Sequence, residues 1–274
     1  MIRYQILLGL ALPFALAHQA LFGANGALAE RLGLGAAPVP GARLWLHAAS
    51  VGEVRSARWV IEALLASRPG LQVLVTLNTA TGRDLVRGWG LAGVTARLAP
   101  FDSAGAAARV LDRWHPQALI IVENELWPAR VQAAYNRGVP VLVIGARLSA
   151  RSARRWSWAG GLARRMLAMI DWLSAQDAQS LERFQSLGLP QDAAGPVVAL
   201  KSRAEAVVLP PPFSAVAPRA QTLLAASTHA GEDEGIIDAF RTNATFRHLI
   251  LAPRHPRRGD EIAQMLTARG VAFA

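Results

Sequence analysis

The chain has 274 residues, 52% of them hydrophobic, with 29 lysines and arginines against 19 acids for a net charge of +10, and it contains no cysteine. This length and apolar content suit two globular domains with real cores, and the missing thiols exclude a disulfide framework and a thiolate-bound structural metal. The basic excess, mostly arginine, favours contact with phosphates, whether of nucleic acid, nucleotide or anionic lipid.

Residues Ile6 to Phe22 form a mostly apolar run that follows Arg3 and is interrupted by Pro13, His18 and Gln19. Its length lies at the lower limit of the roughly 17–25 residues of a spanning helix. The stretch predicts a hydrophobic anchor helix within residues 1–35, either crossing the membrane or lying in its interface. A cleaved signal peptide is the competing reading.

The next run, Leu44 to Ala48, is flanked by Pro/Gly-rich residues 36–41 and reads as a buried strand; Glu53 to Ser67 reads as an amphipathic helix. Ligands of open α/β sheets collect at such strand-to-helix corners, which singles out Ser50, Gly52 and Glu53. A glutamate in the first helical turn is favourable in any case, because it meets the positive end of the macrodipole. A general base working near neutral pH prefers a raised pKa, which that dipole opposes.

The alternation then repeats. Strands are predicted at Leu71–Thr76, Thr95–Leu98, Ala118–Val122 and Val139–Ile144, with helices near Arg83–Trp89 and Ala104–Trp114. Near-continuous apolar strands between helices imply a parallel sheet covered on both faces, a Rossmann-like domain over residues 36–205. A hydroxyl-rich loop, Asn78 to Gly82 with Thr79 and Thr81, follows the second of these strands. No Gly-x-Gly-x-x-Gly and no Gly-Lys-Ser/Thr is present, so the dehydrogenase and P-loop NTPase readings fall away.

Glu123 and Glu125 leave the strand before Pro128, which suits a first helical turn. They could orient a sugar hydroxyl or balance arginine charge, and they could equally be ordinary helix-start acids. Nothing in this set demands a metal or another cofactor, and none is expected. From Arg147 to Arg165 there are six arginines and no acid, interleaved with Trp156 and Trp158. Arginine forks match phosphate oxygens and tryptophan favours the interface, so the segment suits a membrane surface; a solvated basic helix face is the plainer alternative. No nucleic-acid motif accompanies it, and no nucleic-acid partner is expected.

A proline-rich linker, Leu209 to Phe213, precedes residues that read as strand Gln221–Ala226, loop Ser227–Glu232 into a helix, and strand Arg247–Leu251 with its exit at Pro253–Arg258. Only about two βα units follow the linker, where an open nucleotide-binding sheet usually has five or six strands, so the domain over residues 206–274 is expected to be incomplete.

Six stretches occur in a characteristic order: His47-Ala48-Ala49-Ser50-Val51-Gly52-Glu53, Thr79-Ala80-Thr81-Gly82, Glu123-Asn124-Glu125-Leu126-Trp127-Pro128, Ala146-Arg147-Leu148-Ser149-Ala150-Arg151-Ser152, Ala226-Ser227-Thr228-His229-Ala230-Gly231-Glu232 and Pro253-Arg254-His255-Pro256. In this order, and with Glu30-Arg31-Leu32-Gly33 after the apolar start, the chain resembles the 3-deoxy-D-manno-octulosonic acid (Kdo) transferases of lipopolysaccharide synthesis. The resemblance runs over nearly the whole chain. It implies a GT-B glycosyltransferase of two Rossmann-like domains, moving Kdo from CMP-Kdo to a lipid A precursor with inversion and without a metal. It also implies an enzyme at the inner (plasma) membrane, its domains on the cytoplasmic face.

By that resemblance Glu53 is the general base. Ser50, Gly52, Thr79, Thr81, Glu123, Glu125, Arg147, Ser149 and Arg151 are assigned to the acceptor. Ser227, Thr228, His229, Gly231, Glu232, Arg254 and His255 are assigned to the donor, since hydroxyls and amides at a helix start can hold the CMP phosphate and an arginine can pair with it. Lys201, also assigned to the donor, matches the family lysine, although Ala199-Leu200 stand where the family has Asn-Leu. The chain stops before the family's later donor motif. Two other functions compete: a truncated, inactive relative that binds membrane or lipid A, and a GT-B transferase with another nucleotide sugar.

Overall fold

Short continuous apolar runs and 3.6-period amphipathic runs alternate along the chain, and in the computed structural model they fold as strands and helices. Residues 26–35, 40–158, 160–203 and 217–273 are described. The anchor predicted over Ile6–Phe22 and the linker Leu209–Phe213 lie outside the described residues. Among the described residues no helix is long and apolar enough to cross a membrane. The chain divides into two units, Met1–Glu205 and Ala206–Ala274.

Among the described residues the first unit begins with a short helix, α1 (Ala27–Arg31). It continues through β1 (Arg43–Ala48), α2 (Val51–Ser67), β2 (Gln72–Leu77), α3 (Ala80–Gly88), β3 (Val94–Leu98), α4 (Ala104–Trp114), β4 (Leu119–Val122) and α5 (Pro128–Tyr135). It ends with β5 (Val141–Ala146), α6 (Ala150–Trp158), α7 (Gly160–Leu167), β6 (Trp172–Ala175) and α8 (Ala178–Ser186). The six strands form one parallel sheet in the order β3-β2-β1-β4-β5-β6.

Alternate residues of each strand serve opposite faces, as the pleat requires. Trp45, Leu74, Leu119, Ile121, Val141 and Val143 join one core with α4, α5, α7 and α8. Leu46, Ala48, Val73, Val75, Ile120 and Val122 join the other with α2 and α3. Coverage on both sides explains why these strands read as unbroken apolar runs.

Several boundaries move from their sequence positions for local reasons. Helix α2 starts at Val51 because Ser50 caps it, and α3 starts at Ala80 because Thr79 Oγ1 accepts the Gly82 N–H at 3.1 Å. Thr81 and Gly82 are therefore helical, not part of a loop. Strand β5 begins after Pro140, which has no N–H to give a ladder, and runs on through Gly145 and Ala146. Helix α5 lacks a cap of its own; Asp102, from the loop before α4, accepts the Ala129 and Arg130 N–H groups at 3.0 and 2.8 Å instead.

This strand order reverses direction between β1 and β4. The chain leaves β1 toward β2 on one side, whereas β4 and β5 build outward on the other. The crevice at such a switch point, beyond the carboxyl ends of the strands, is where open α/β sheets hold ligands. Three segments converge there: Ala49–Glu53 after β1, Asn78 after β2 and Glu123–Trp127 after β4.

The second unit contains β7 (Thr222–Thr228), α9 (Asp233–Thr242), β8 (His248–Pro253) and α10 (Gly259–Ala268). Its two strands pair in parallel, and Ile237, Ile262 and Leu266 form the buried centre with Leu249, Leu251, Met265 and Val271 against them. Both strands run two residues past their predicted ends, so Ser227, Thr228 and Pro253 are strand-terminal.

Candidate functional site

Glu53 occupies the third position of α2 and closes a capping arrangement with Ser50. Ser50 Oγ accepts the Glu53 N–H at 3.3 Å and donates to Glu53 Oε1 at 3.2 Å, while Glu53 Oε2 accepts the Ala49 N–H at 2.7 Å. This is the Ser-x-x-Glu capping box, reaching one residue further back than usual. The cap and a chemical role are compatible: each carboxylate oxygen keeps a lone pair after its one donor. Gly52 is exposed with open space around it, so that a methyl group added there would meet Ser50 Oγ no closer than 3.8 Å.

The dipole argument predicts a depressed Glu53 pKa, and the site reverses that prediction. Burial raises it, and the nearby Glu123 and Glu125 charges raise it further, outweighing the hydrogen bonds from Ala49 and Ser50. The three carboxylates named from sequence are thus brought together at the switch point.

Glu125 is the most heavily bonded of them. Its Oε2 accepts from Trp127 Nε1 at 2.7 Å and Asn78 Nδ2 at 3.0 Å, and His47 Nε2 stands 3.6 Å away. Burial alone would raise this carboxyl, but the adjacent His47 ring and the donors Trp127 and Asn78 prevail and hold it at about 2. His47 itself is wholly buried, and burial together with Arg130 pushes it down to about 4, so it is neutral at pH 7.

Glu123 is held differently. Its backbone adopts φ 57°, a left-handed conformation uncommon for a glutamate, and its Oε1 meets Lys201 Nζ at 3.1 Å. Lys201 arrives there through packing. Gly145 lies at φ 62° at an irregularity of the β5–β6 pairing, and a Cβ on it would come within 2.7 Å of Leu200 Cδ1. Only glycine lets Leu200 settle on that strand, and the short 3₁₀ turn Leu200–Arg203 then points Lys201 at Glu123. Lys201, assigned from sequence to the donor, is therefore a neighbour of the first unit's carboxylates.

The remaining first-unit residues are more dispersed. Thr79 and Thr81 are exposed, the Thr79 hydroxyl being engaged in capping α3. Arg147 and Ser149 line a pocket of about 450 Å³ beyond the ends of β5 and β6, with Asp177, Gln179 and Arg183. Ser149 Oγ also accepts the Ser152 N–H at 3.1 Å at the start of α6. Arg151, Arg154 and Arg155 are exposed on α6. The two tryptophans of that helix part company: Trp156 packs edge-on against Phe184 at 6.2 Å, while Trp158 is 93% exposed.

In the second unit Ser227 has φ 62° at the end of β7, where the pairing with β8 shifts register. Thr228 is buried, and its carbonyl accepts the Arg254 N–H at 3.0 Å and Arg258 Nη1 at 3.2 Å. Arg258 also binds Asp233, locking the loops after both strands to each other. Glu232 accepts the His229 N–H at 2.7 Å. The side chains of His229, Arg254 and His255 are exposed, and Gly231 lies in the loop between β7 and α9.

Sequence reasoning missed His47, Asn78, Trp127 and Arg130 as members of the first site. A histidine inside an apolar strand and an asparagine at a strand's carboxyl end were the available signals.

Residues 26–204 match the family model for 3-deoxy-D-manno-octulosonic-acid transferase (kdotransferase). The 3-deoxy-D-manno-octulosonic acid transferase of Bordetella pertussis is 38% identical over 260 residues, 87% of this chain and 58% of that protein. The Haemophilus influenzae transferase of the same name is 31% identical over 256 residues, 90% of this chain and 60% of that protein. The chain thus spans under two thirds of the length of these curated relatives.

The crystal structure of UDP-GlcNAc 2-epimerase from Neisseria meningitidis, bound to UDP-GlcNAc, is similar with a TM-score of 0.55 at 17% identity, covering 84% of this chain and 70% of that one. A further UDP-N-acetylglucosamine 2-epimerase structure reaches a TM-score of 0.58 at 10% identity, covering 86% and 69%. At such identities the likeness speaks to fold alone, an α/β architecture on a parallel sheet. On the match across residues 26–204 and the identity to its curated relatives, the chain belongs to the 3-deoxy-D-manno-octulosonic acid transferase family.

Proposed function

We propose that this protein is a GT-B glycosyltransferase that moves Kdo from CMP-Kdo to a hydroxyl of a lipid A precursor, with inversion and with Glu53 as general base. The observation that carries the reading is the Glu53 carboxylate: half-buried at the sheet's switch point, fixed through both oxygens, and raised in pKa by burial and two neighbouring acids. A sugar hydroxyl attacks the anomeric carbon of Kdo. Its proton passes to Glu53 as the new C–O bond forms, and the bond from that carbon to the CMP phosphate oxygen breaks. A raised pKa makes the carboxylate a better proton acceptor, and fixed oxygens remove the cost of orienting it during the reaction.

The departing CMP gains negative charge, for which hydroxyls, amides and cations are required. We assign the donor to the second unit's Ser227, Thr228, His229, Gly231, Glu232, Arg254 and His255, with the exposed Arg254 as the cation that pairs with the phosphate and Glu232 holding the His229 N–H in the loop. The acceptor is assigned to Ser50, Gly52, Thr79, Thr81, Glu123, Glu125, Arg147, Ser149 and Arg151. Its lipid moiety, the exposed arginines of α6 and Trp158 support a working position on the cytoplasmic face of the plasma membrane.

The test is CMP release from CMP-Kdo on addition of lipid A precursor. Release from CMP-Kdo is expected to slow by about 10²–10⁴-fold in Glu53→Gln. A Glu53→Gln rate equal to the parent's removes the base assignment, and release from a UDP-sugar in place of CMP-Kdo removes the donor assignment.

A further inference from the structure

Helix α1 is only five residues long, too short to persist unaided, so its place depends on tertiary contacts. Ala27 is buried. Glu30 Oε2 accepts from the Leu98 N–H at 2.7 Å and Arg83 Nη1 at 3.3 Å, and Oε1 accepts from Arg87 Nη2 at 3.1 Å. Arg109 Nε donates to the Leu32 carbonyl at 2.6 Å. Gly33, at φ 73°, lies so close to α4 that a Cβ would stand 2.4 Å from the Ala106 carbonyl oxygen. Larger residues would lift the segment off.

With α1 clamped in this way, Arg31 spreads its guanidinium between two strand ends. Nη2 donates to the Asn78 carbonyl at 2.6 Å and Nη1 to the Ala99 carbonyl at 2.9 Å, just beyond β2 and β3. The Arg31 carbonyl accepts the Phe101 N–H at 2.8 Å, and the guanidinium lies 5.8 Å from the Phe101 ring centroid.

Asn78 is a branch point. Its N–H donates to the Ala49 carbonyl at 3.2 Å, and Ala49 in turn donates its own N–H to Glu53 Oε2 at 2.7 Å. The Asn78 side chain donates to Glu125 Oε2 at 3.0 Å. Two hydrogen-bonded routes therefore run from Arg31, one through Asn78 and Ala49 to Glu53, the other through Asn78 to Glu125.

We propose that Arg31 is a positioning residue for the candidate base: by gripping the Asn78 and Ala99 carbonyls together it fixes Asn78, and through Asn78 it sets both Glu53 and Glu125. The proposal rests on the reading of Glu53 as general base, and it makes α1 part of the active-site frame. A forked, planar donor is needed to bridge two carbonyls from two strands, which a lysine ammonium on a flexible stem does less well. Glu53 is faced by Ser50 and the Ala49 N–H from its own corner and by Glu123 and Glu125 from the loop after β4. Lys201 stands behind Glu123, and His47 behind Glu125.

The experiment follows the carboxyl carbons of Glu53 and Glu125 by ¹³C NMR in pH titrations of the full chain and of Arg31→Ala, Arg31→Lys and Asn78→Ala. Loosening Asn78 weakens one donor to each carboxylate, so Arg31→Ala should move both midpoints upward by on the order of half a pH unit. Arg31→Lys should move both by less, and Asn78→Ala should move Glu125 more than Glu53. Transfer in Arg31→Ala should lose about 10-fold in kcat with KM unchanged. Midpoints equal to the parent's in Arg31→Ala, or in Arg31→Lys should the alanine variant fail to fold, overturn the proposal. The titrations read Arg31 whether or not Glu53 is the base, whereas a Glu53→Gln rate equal to the parent's overturns only the base reading.

Discussion

His47 Nε2 stands 3.6 Å from Glu125 Oε2, with the imidazole wholly buried and the carboxylate partly so. On its other side Nδ1 lies 3.1 Å from the Thr76 carbonyl oxygen and 3.0 Å from Thr76 Oγ1, a hydroxyl that accepts Trp45 Nε1 at 2.9 Å and reaches the Leu46 carbonyl at 3.4 Å. The ring of His47 is thus lodged between the end of β2 and the Glu125 carboxylate.

The His47 pKa, lowered to about 4 from 6.5, has a consequence for stability. Between those values the unfolded chain binds a proton that the native state refuses. The stabilisation is complete above pH 6.5 and is lost as pH falls toward 4. From pH 7 to pH 5 the loss is about 2 kcal/mol. In His47→Gln this contribution is absent, so its urea midpoint should fall less between pH 7 and 5 than the parent's. An identical fall in both proteins would remove His47 as the source.

Glu123 sits at φ 57°, which costs a non-glycine residue on the order of 1 kcal/mol. Its ion pair with Lys201 returns little, since the lysine is largely exposed. Glu123→Gly should therefore leave stability unchanged or raise it by up to about 1 kcal/mol. Transfer should nevertheless fall, because one of the two charges that raise Glu53 is gone. The Glu53 midpoint should move down in the same variant; thermal melting and ¹³C titration read the two effects separately.

Much of the first unit is legible in the sequence because its strands are buried on both faces and therefore continuously apolar, as Leu119 to Val122 shows. The placement of Glu53, Glu123 and Glu125 at strand ends follows from the same alternation. What escapes is whatever depends on residues distant in sequence. Asp102 caps α5 from 27 residues away, Lys201 reaches Glu123 only because Leu200 rests on Gly145, and Arg31 acts through Asn78. Trp156 and Trp158 read alike in sequence because they are two apart on one helix, yet that spacing places them on different faces and only Trp156 meets the core. Helix starts are misplaced where a hydroxyl caps early, as Thr79 does.

On the proposed reading, Glu53 sets a stability cost against function. Its raised pKa means that the native state holds a proton the unfolded chain releases, so stability falls as pH rises from about 4.5 through the native value. Glu53→Gln removes a buried charge while keeping a side chain able to reach Ser50 and the Ala49 N–H. Above that window the variant should match the parent or exceed it by up to about 1 kcal/mol in unfolding free energy, with transfer lost. A variant clearly less stable than the parent at pH 7 would mean that the cap, not the burial of charge, dominates at this position.

Helix α6 carries Arg151, Arg154 and Arg155 on its exposed side, and its last residue, Trp158, is 93% exposed. Its inner side is spoken for by Trp156 and Ala153 against the first core. Removing the outer arginines therefore should not unfold the unit, while each contributes about 1 kcal/mol to attraction toward an anionic bilayer at moderate salt. The triple change to alanine should weaken sedimentation of the protein with phosphatidylglycerol-containing vesicles and leave its binding to neutral vesicles unaltered. Trp158→Ala should weaken binding to both kinds, since an indole partitions to the interface whatever the headgroup charge. Adding salt should erode the arginine contribution and spare the tryptophan one, because screening shortens the reach of the surface potential but not of apolar contact. If the triple variant binds anionic vesicles as the parent does, the basic face of α6 is merely solvated and carries no attraction to a bilayer.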